Sequence, residues 1–258
     1  DIPGAKKVGL ILQDWSVMIA PGKTTHYIGD VLAGVIADSD KIAREAIALI
    51  EVEYEVLEPI TDVFQAIEGA AVHPERPNHF DTCQFTIGDA EKAIEESAFV
   101  SSGKYETQRI EHAFLEKEAA IARPDGKGGI ELFSQSQGVY EDRRQVAMIL
   151  GLEEEQVRVI LVPNGGGFGG KEDMTVQGHT ALFAFLMNRP VKLSLRREES
   201  IRMHPKRHPV FMDISVAANK EGKLTALKLK AVGDTGAYAS VGMKVMERVA
   251  GHASGGYF

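Results

Sequence analysis

The 258-residue chain has a single cysteine, Cys83, a single tryptophan and few aromatic residues of any kind, 7% in all. One thiol cannot form an internal disulfide, a CxxC redox pair or the four-thiolate cradle of an iron–sulfur cluster, so centres of that kind must sit on other chains or domains. Basic residues are the minority: 29 Lys and Arg stand against 37 Asp and Glu, a net charge of −8, with a pI near 5.5. That sign repels phosphate backbones and anionic lipid surfaces, so nucleic acid is not an expected partner. Long apolar runs are missing too. The longest, residues 181–187, falls far short of the roughly 20 residues that span a bilayer, and no basic-then-apolar leader opens the chain. No membrane association is expected, and a cytoplasmic location is the default. The HExxH and GxSxG signatures are also absent, which leaves hydrolase readings without an anchor.

Hydrophobic residues at 44% and charged residues at 26%, with a mean hydropathy of −0.12, describe a chain that buries a core as one large domain or two modest ones. It opens with Asp1-Ile2-Pro3 and closes with Gly255-Gly256-Tyr257-Phe258, and so reads as a piece of something longer.

Periodicity gives an α+β pattern. Short β-like runs at 8–12 and 31–37 precede Ser39-Asp40, an N-cap for a helix built on Ile42, Ala46, Ile47 and Ile50. Residues 52–57 alternate apolar with acidic as a half-buried strand does, and Thr61-Asp62 caps a shorter helix through Ile67. Pro74 and Pro77 mark an aperiodic linker between 71 and 88. Beyond it the pattern predicts an acidic helix at 89–98, a strand from Phe99, a strand at 130–134 and a helix at 139–150 ended by Gly151. A strand at 157–162, a helix at 174–187, a strand at 191–195 and a hairpin around Asn219-Lys220-Glu221-Gly222 follow.

The most distinctive stretch is Gly165-Gly166-Gly167-Phe168-Gly169-Gly170-Lys171-Glu172, where five of six consecutive residues lack a Cβ. Such a run costs backbone entropy and suits a chain that must approach something closely or adopt φ > 0. Read as GxGxxG, Gly165, Gly167 and Gly170 fit a nicotinamide dinucleotide loop between strand and helix, with Glu198 as a ribose partner. That reading requires the strand at 157–162 to pair in parallel with the strand at 191–195. A phosphate-binding Walker loop fails because Glu172 stands where Ser or Thr should follow the lysine. A third possibility is a non-catalytic assembly module whose loop meets a protein partner. His204 and His208 have the i, i+4 spacing of a metal pair, but Pro205 and Pro209 break the helix it needs, so a solvated basic loop is expected. Residues 111–116 and 134–137 read by themselves as supporting polar networks, and Arg248 as a solvated cation.

In this order the pieces resemble the molybdenum-binding region of the xanthine dehydrogenase / aldehyde oxidase family. The resemblance rests on Tyr27-Ile28-Gly29-Asp30-Val31, Val52-Glu53-Tyr54, Glu111-His112-Ala113-Phe114-Leu115-Glu116, Gln135-Ser136-Gln137, the glycine stretch and Val245-Met246-Glu247-Arg248. It implies part of an α/β-hammerhead domain over 1–68, a linker over 69–95, and the first part of a molybdopterin-binding domain over 96–258. It further implies a molybdenum–molybdopterin cofactor with no direct protein ligand to the metal. Gly166, Gly167, Phe168 and Gly169 crowd that cofactor, with the Gln137 side chain and the Phe168 amide near the oxo ligand. The implied chemistry is hydroxylation of an electron-poor carbon with oxygen from water, electrons leaving through 2Fe-2S clusters and FAD carried by partner subunits or domains in an oligomer. Arg248 and Glu172 match the catalytic pair of the purine-oxidising branch, which favours a purine or similar N-heterocycle over an aldehyde. The base and the aromatic clamps of the family fall beyond Phe258, so the 258 residues alone are expected to be inactive.

Overall fold

The computed structural model describes residues 1–255; the last three residues of the 96–258 segment lie outside that range. The chain divides into two compact units, one of residues 1–60 with 111–206 and the other of residues 61–110 with 207–258.

In the first unit a two-stranded ribbon, β1 (Lys7–Val8) with β2 (Trp15–Ser16), leads to the helix α1 (Asp40–Ile47). Ser39 caps α1 by accepting from the Ile42 amide, as its sequence requires. The expected strand at 52–57 does not form: the segment has no regular secondary structure and no paired strand, with Val52, Tyr54 and Val56 exposed. Alternation supplies a strand's side-chain pattern but not the second strand that would complete it. The β-like run at 31–37 likewise forms no strand, and the first run shortens to β1.

Of the second unit's elements, α2 (Val63–Glu68) and α3 (Ala90–Glu95) are capped by Asp62 and Asp89. β3 (Phe99–Glu106) pairs antiparallel with β8 (Val210–Ala218), which turns into β9 (Leu224–Gly233). Asn219 accepts from the amides of Glu221 and Lys223 to close that turn, and Phe64 packs edge-on against Phe211. Between α2 and α3 there is no regular element. Asn78 holds the connection by donating to Ala66 O and Ala70 O and accepting from the Val72 amide. The helix α7 (Gly242–His252) completes this unit, with Met246 beside Gly233.

The first unit's main sheet places the site. It comprises β4 (Ala119–Pro124), β5 (Ile130–Ser134), β6 (Val157–Leu161) and β7 (Val191–Ser194), in the order β6-β5-β4-β7. The helices α4 (Val139–Leu150) and α5 (Gln177–Met187) bury its apolar side through Ile130, Leu132, Val146, Ile149, Val157, Ala181 and Leu182. On the other side Glu131 accepts from Arg123 and Arg158 across the strands. α4 stops where Gly151 adopts φ 65°, a left-handed cap that glycine enters without a Cβ penalty. β6 and β7 are not neighbours, so the parallel pairing required by the dinucleotide reading is absent. β7 joins the far side of β4 instead, where apolar Leu193 meets Ala120. No described helix is long and apolar enough to cross a membrane.

Strand direction gathers the distant motifs. β5 and β6 run parallel, with Ser134 opposite Leu161, so residues 135–137 and 164–171 leave the sheet at the same edge. β4 runs antiparallel, with Ala120 opposite Ser134 and Ala119 opposite Ser194. Residues 111–118 therefore arrive at that edge, and the chain leaving β7 reaches it through α6 (Arg197–Met203).

Candidate functional site: a glycine loop over a buried ionic network

Alternation past the end of β5 splits Ser134-Gln135-Ser136-Gln137 between two tasks. On the helix side Ser134 donates to Asp142 Oδ2 at 2.9 Å and accepts from Gln177. Burial pushes the Asp142 carboxyl up to about 6, opposed by hydrogen bonds from Ser136 and Ser134 and reinforced by Glu141. On the opposite side Gln135 donates to Lys117 O at 2.7 Å and accepts from Lys171 Nζ at 2.5 Å.

Gln137 organises the glycine loop. Its Oε1 accepts from the amides of Gly169 at 3.0 Å and Lys171 at 3.3 Å, and its own amide donates to Lys171 O at 2.9 Å. With the oxygen turned inward, the carboxamide NH2 is left as an outward donor on an exposed residue. Three of the glycines are demanded by packing: a Cβ at Gly165 would stand 2.6 Å from Glu116 Cβ. A Cβ at Gly167 would stand 2.3 Å from Gln137 Oε1, and one at Gly170 would stand 2.8 Å from His112 Nδ1 and 3.0 Å from Phe114. Gly166 and Gly169 have φ of 98° and 87°, and a Cβ on Gly169 would meet nothing closer than 4.0 Å. Phe168, between them, holds the left-handed φ of 53° with its ring 73% exposed. A second non-glycine residue of this edge, Ala113, is also left-handed at 49°. Backbone held in this region costs on the order of 1 kcal/mol per residue and collects at functional sites. The tip is thus a side-chain-poor cradle with amide donors at its rim, a shape and polarity that fit an anionic, oxygen-bearing cofactor.

Beneath the loop lies a dense ionic network. Lys171, only 3% exposed, stacks over the Phe114 ring at 4.6 Å and stands 3.6 Å from Glu116 Oε2. Burial lowers its pKa, which Glu116 and Glu118 counteract. Glu116 Oε2 also accepts from the Gly165 amide at 2.6 Å. Next to Phe114, His204 bridges two carboxylates: Nε2 is 2.7 Å from Glu111 Oε1 and Nδ1 is 3.1 Å from Glu118 Oε1. Burial raises the pKa of both carboxyls, but donors outweigh it and both are held below the ordinary range: the Ala113 amide, Lys206 and His204 at Glu111, His204 and Ser200 at Glu118.

His204 therefore does not lie in a solvated loop. It is 2% exposed, because carboxylates remote in sequence meet both ring nitrogens. Glu111, His112 and His204 bring ligand atoms within 4.8 Å of one another, but the arrangement is an ion-pair network: Lys206 Nζ already sits 3.0 Å from Glu111 Oε2. His208 belongs to the second unit. By sequence, Glu116 falls in a supporting polar network, His204 in a solvated loop, and Lys171 counts only as the lysine of a failed phosphate loop; Glu118 has no reading. The local signal for these two acidic and two basic or imidazole residues is only that they fall in segments flanking the sheet.

The structure brings together Gln137, Gly166, Gly167, Phe168, Gly169 and, at the end of the loop, Glu172, which is exposed and without an ion-pair partner among the described residues. Arg248 is exposed on α7 of the second unit, also without one. In a dinucleotide fold the helix begins within the glycine loop. Here α5 begins only at Gln177, after a buried non-helical stretch.

The profile of the molybdopterin cofactor-binding domain family matches residues 72–258. Among curated proteins the chain is 37% identical to one subunit of a probable xanthine dehydrogenase of Bacillus subtilis (strain 168), covering 100% of this chain and 34% of that protein. It is 36% identical to the nicotinate dehydrogenase large molybdopterin subunit of Eubacterium barkeri, covering 99% of this chain and 60% of that protein. Among solved structures, the aldehyde oxidoreductase of Desulfovibrio gigas superposes with a TM-score of 0.88 at 25% identity, over 95% of this chain and 28% of that one. The chain thus spans about a third to three fifths of the length of these curated relatives. With its helix and sheet content, its glycine cradle and a profile match over most of its length, the chain belongs to the molybdopterin cofactor-binding domain family, among the xanthine dehydrogenase and aldehyde oxidoreductase proteins.

Proposed function

We propose that the chain is part of a molybdenum-dependent hydroxylase that oxidises a purine or similar N-heterocycle with water as the oxygen source. The observation that carries this reading is the orientation of Gln137: its oxygen is consumed by two loop amides, so its NH2 and the Phe168 amide are left as donors at the rim of a cradle without side chains.

When bound, the molybdenum–pterin group supplies the two-electron oxidant for placing water-derived oxygen on an electron-poor ring carbon. This chain's contribution is positional and electrostatic. Gly166, Gly167 and Gly169 would let main-chain atoms approach the cofactor, and Gln137 and Phe168 would hold it as hydrogen-bond donors. As negative charge grows on the ring, the Arg248 guanidinium stabilises it more strongly in the transition state than in the ground state. The Glu172 carboxylate accepts from ring N–H groups and fixes which carbon is presented.

Support for an N-heterocycle comes from the two similar relatives, whose names specify xanthine and nicotinate, and from two exposed charges that an apolar aldehyde would leave unmatched. In this reading residues 1–68 belong to an α/β-hammerhead domain, 69–95 form a linker, and 96–258 begin the molybdopterin-binding domain. The 2Fe-2S clusters and FAD reside on partner subunits or domains of a cytoplasmic oligomer. The test is anaerobic purification of the complete protein, metal and pterin analysis, and turnover of xanthine, nicotinate and benzaldehyde in isotope-labelled water. Stoichiometric molybdenum with label in a hydroxylated heterocycle is expected. Binding of nicotinamide dinucleotide without molybdenum would overturn the reading.

A further inference from the structure

We propose that Lys171 and Glu116 form an ion-pair clasp that ties the two ends of the glycine loop together, making both of them positioning residues for whatever the loop's tip holds. The clasp rests on the proposed function only for the identity of that group; its geometry stands by itself.

The incoming end of the loop is fixed at two points. Asn164 Nδ2 donates to Gln135 O at 2.6 Å, and the Gly165 amide donates to Glu116 Oε2 at 2.6 Å. The outgoing end is fixed through Lys171, whose Nζ donates to Gln135 Oε1 and whose amide donates to Gln137 Oε1. The two ends meet where Lys171 Nζ stands 3.6 Å from the same Glu116 Oε2 that receives the Gly165 amide. One carboxylate oxygen thus holds the first glycine and the ammonium that follows the last. Gln135 supplies the fixed base, being anchored in turn by Lys117 O.

Packing alone does not explain a lysine here. An apolar side chain would cover the Phe114 ring without desolvating a charge, and replacement of buried ion pairs by apolar residues is often neutral or stabilising. What the ammonium adds is coupling: with it, Gly165 cannot release Glu116 without leaving a buried cation undercompensated. The span from 165 to 171 is then closed by charge as well as by backbone, and the strained Phe168 is held at its apex. Glu116 is 40% exposed at its side chain, so its substitution leaves the core intact and serves as the primary probe.

The experiment is hydrogen–deuterium exchange, from sub-second to minutes, of peptides spanning 163–172 in the complete protein. It compares wild type with Glu116→Ala, Glu116→Gln, Lys171→Met and the double variant Glu116→Ala/Lys171→Met, alongside pterin content and the split of kcat against KM. Each alanine or methionine variant should speed exchange of the loop about tenfold or more, as expected for loss of a charge-assisted hydrogen bond. The double variant should be no faster than the faster single one, because the two residues act as one unit. Glu116→Gln, which keeps an acceptor for Gly165, should recover part of the protection. In the cofactor-loaded fraction kcat should fall while KM holds. Unchanged exchange in Glu116→Ala, or strictly additive effects in the double variant, overturns the clasp. Non-additive exchange across the variant set, in protein that carries no pterin even as wild type, supports the clasp and overturns only the cofactor reading.

Discussion

Nε2 of His204 stands 2.7 Å from Oε1 of Glu111, while the other ring nitrogen faces Glu118, a residue buried to 2% exposure. The imidazole thus lies between two carboxylates, and the segment entering β4 is thereby tied to the end of α6. Removing the ring by His204→Ala leaves the buried Glu118 carboxylate without its partner, a change that costs about 3–5 kcal/mol. We expect a matching loss in denaturant or thermal unfolding. A loss below about 1 kcal/mol would mean that water or Lys206 replaces the imidazole.

The two carboxylates also set an acid limit. Both are held below their ordinary range in the folded state, so their stabilisation is complete above the unfolded value near 4.3 and disappears as pH falls through their lower folded values. Wild-type stability should drop steeply below about pH 4.5, and His204→Ala should flatten that limb, which a pH series of unfolding midpoints measures.

Asp142 behaves in the opposite sense. Its folded pKa of about 6 lies above the reference value of 3.8, so the folded state binds the proton more tightly than the unfolded chain. Its contribution to stability is greatest below 3.8 and is lost as pH rises through 6; at pH 7 the burial of its charge costs about 3 kcal/mol. Asp142→Asn keeps an acceptor for Ser134 and removes the charge. We expect a gain of up to about 3 kcal/mol at pH 7 that shrinks toward pH 4, read from the same unfolding series.

The parts of this architecture that are legible in sequence are those fixed by local rules. Gly151 ends α4, Asn219 closes the β8–β9 turn, Ser39 and Asp62 cap their helices, and the glycine run stands out because nothing local accounts for it. What escapes is set by distant partners. Residues 52–57 alternate convincingly but find no strand, whereas β4, whose Ala119-Ala120-Ile121-Ala122 has little β-branching, is a strand because β5 and β7 flank it. His204 reads as solvated beside Pro205 because Glu111 lies 93 residues away, and charge complementarity over that distance has no period to detect. The same holds for Lys171, whose neighbour Glu172 is exposed while Lys171 itself is buried.

Gly167 offers a direct probe of the cradle. A methyl group there would stand 2.3 Å from Gln137 Oε1, so Gly167→Ala must displace either the loop or the carboxamide. Because the glycine's φ is not in the left-handed region, the backbone itself tolerates alanine, and the damage falls on the Gln137 contact. The expected outcome is a folded protein with an unfolding midpoint within a few degrees of wild type and much reduced molybdenum and pterin content. Full cofactor content in Gly167→Ala would show that Gln137 does not orient the cradle.

Arg248 and Glu172 test the substrate class rather than the cofactor. Each is exposed and has no ion-pair partner among the described residues, so in the proposed reading a substrate meets a side chain that the fold does not occupy. A charge-assisted hydrogen bond contributes about 1.5–3 kcal/mol. Arg248→Met in the complete enzyme should therefore lower kcat on a purine by about one to two orders of magnitude with cofactor content unchanged. Glu172→Val should weaken purine turnover while sparing small aldehydes, which offer no ring N–H to the carboxylate. Steady-state kinetics on xanthine and benzaldehyde separate the cases. Equal losses on both substrates would assign Glu172 to the stability of the loop, and unchanged purine kinetics in Arg248→Met would remove the guanidinium from the reaction.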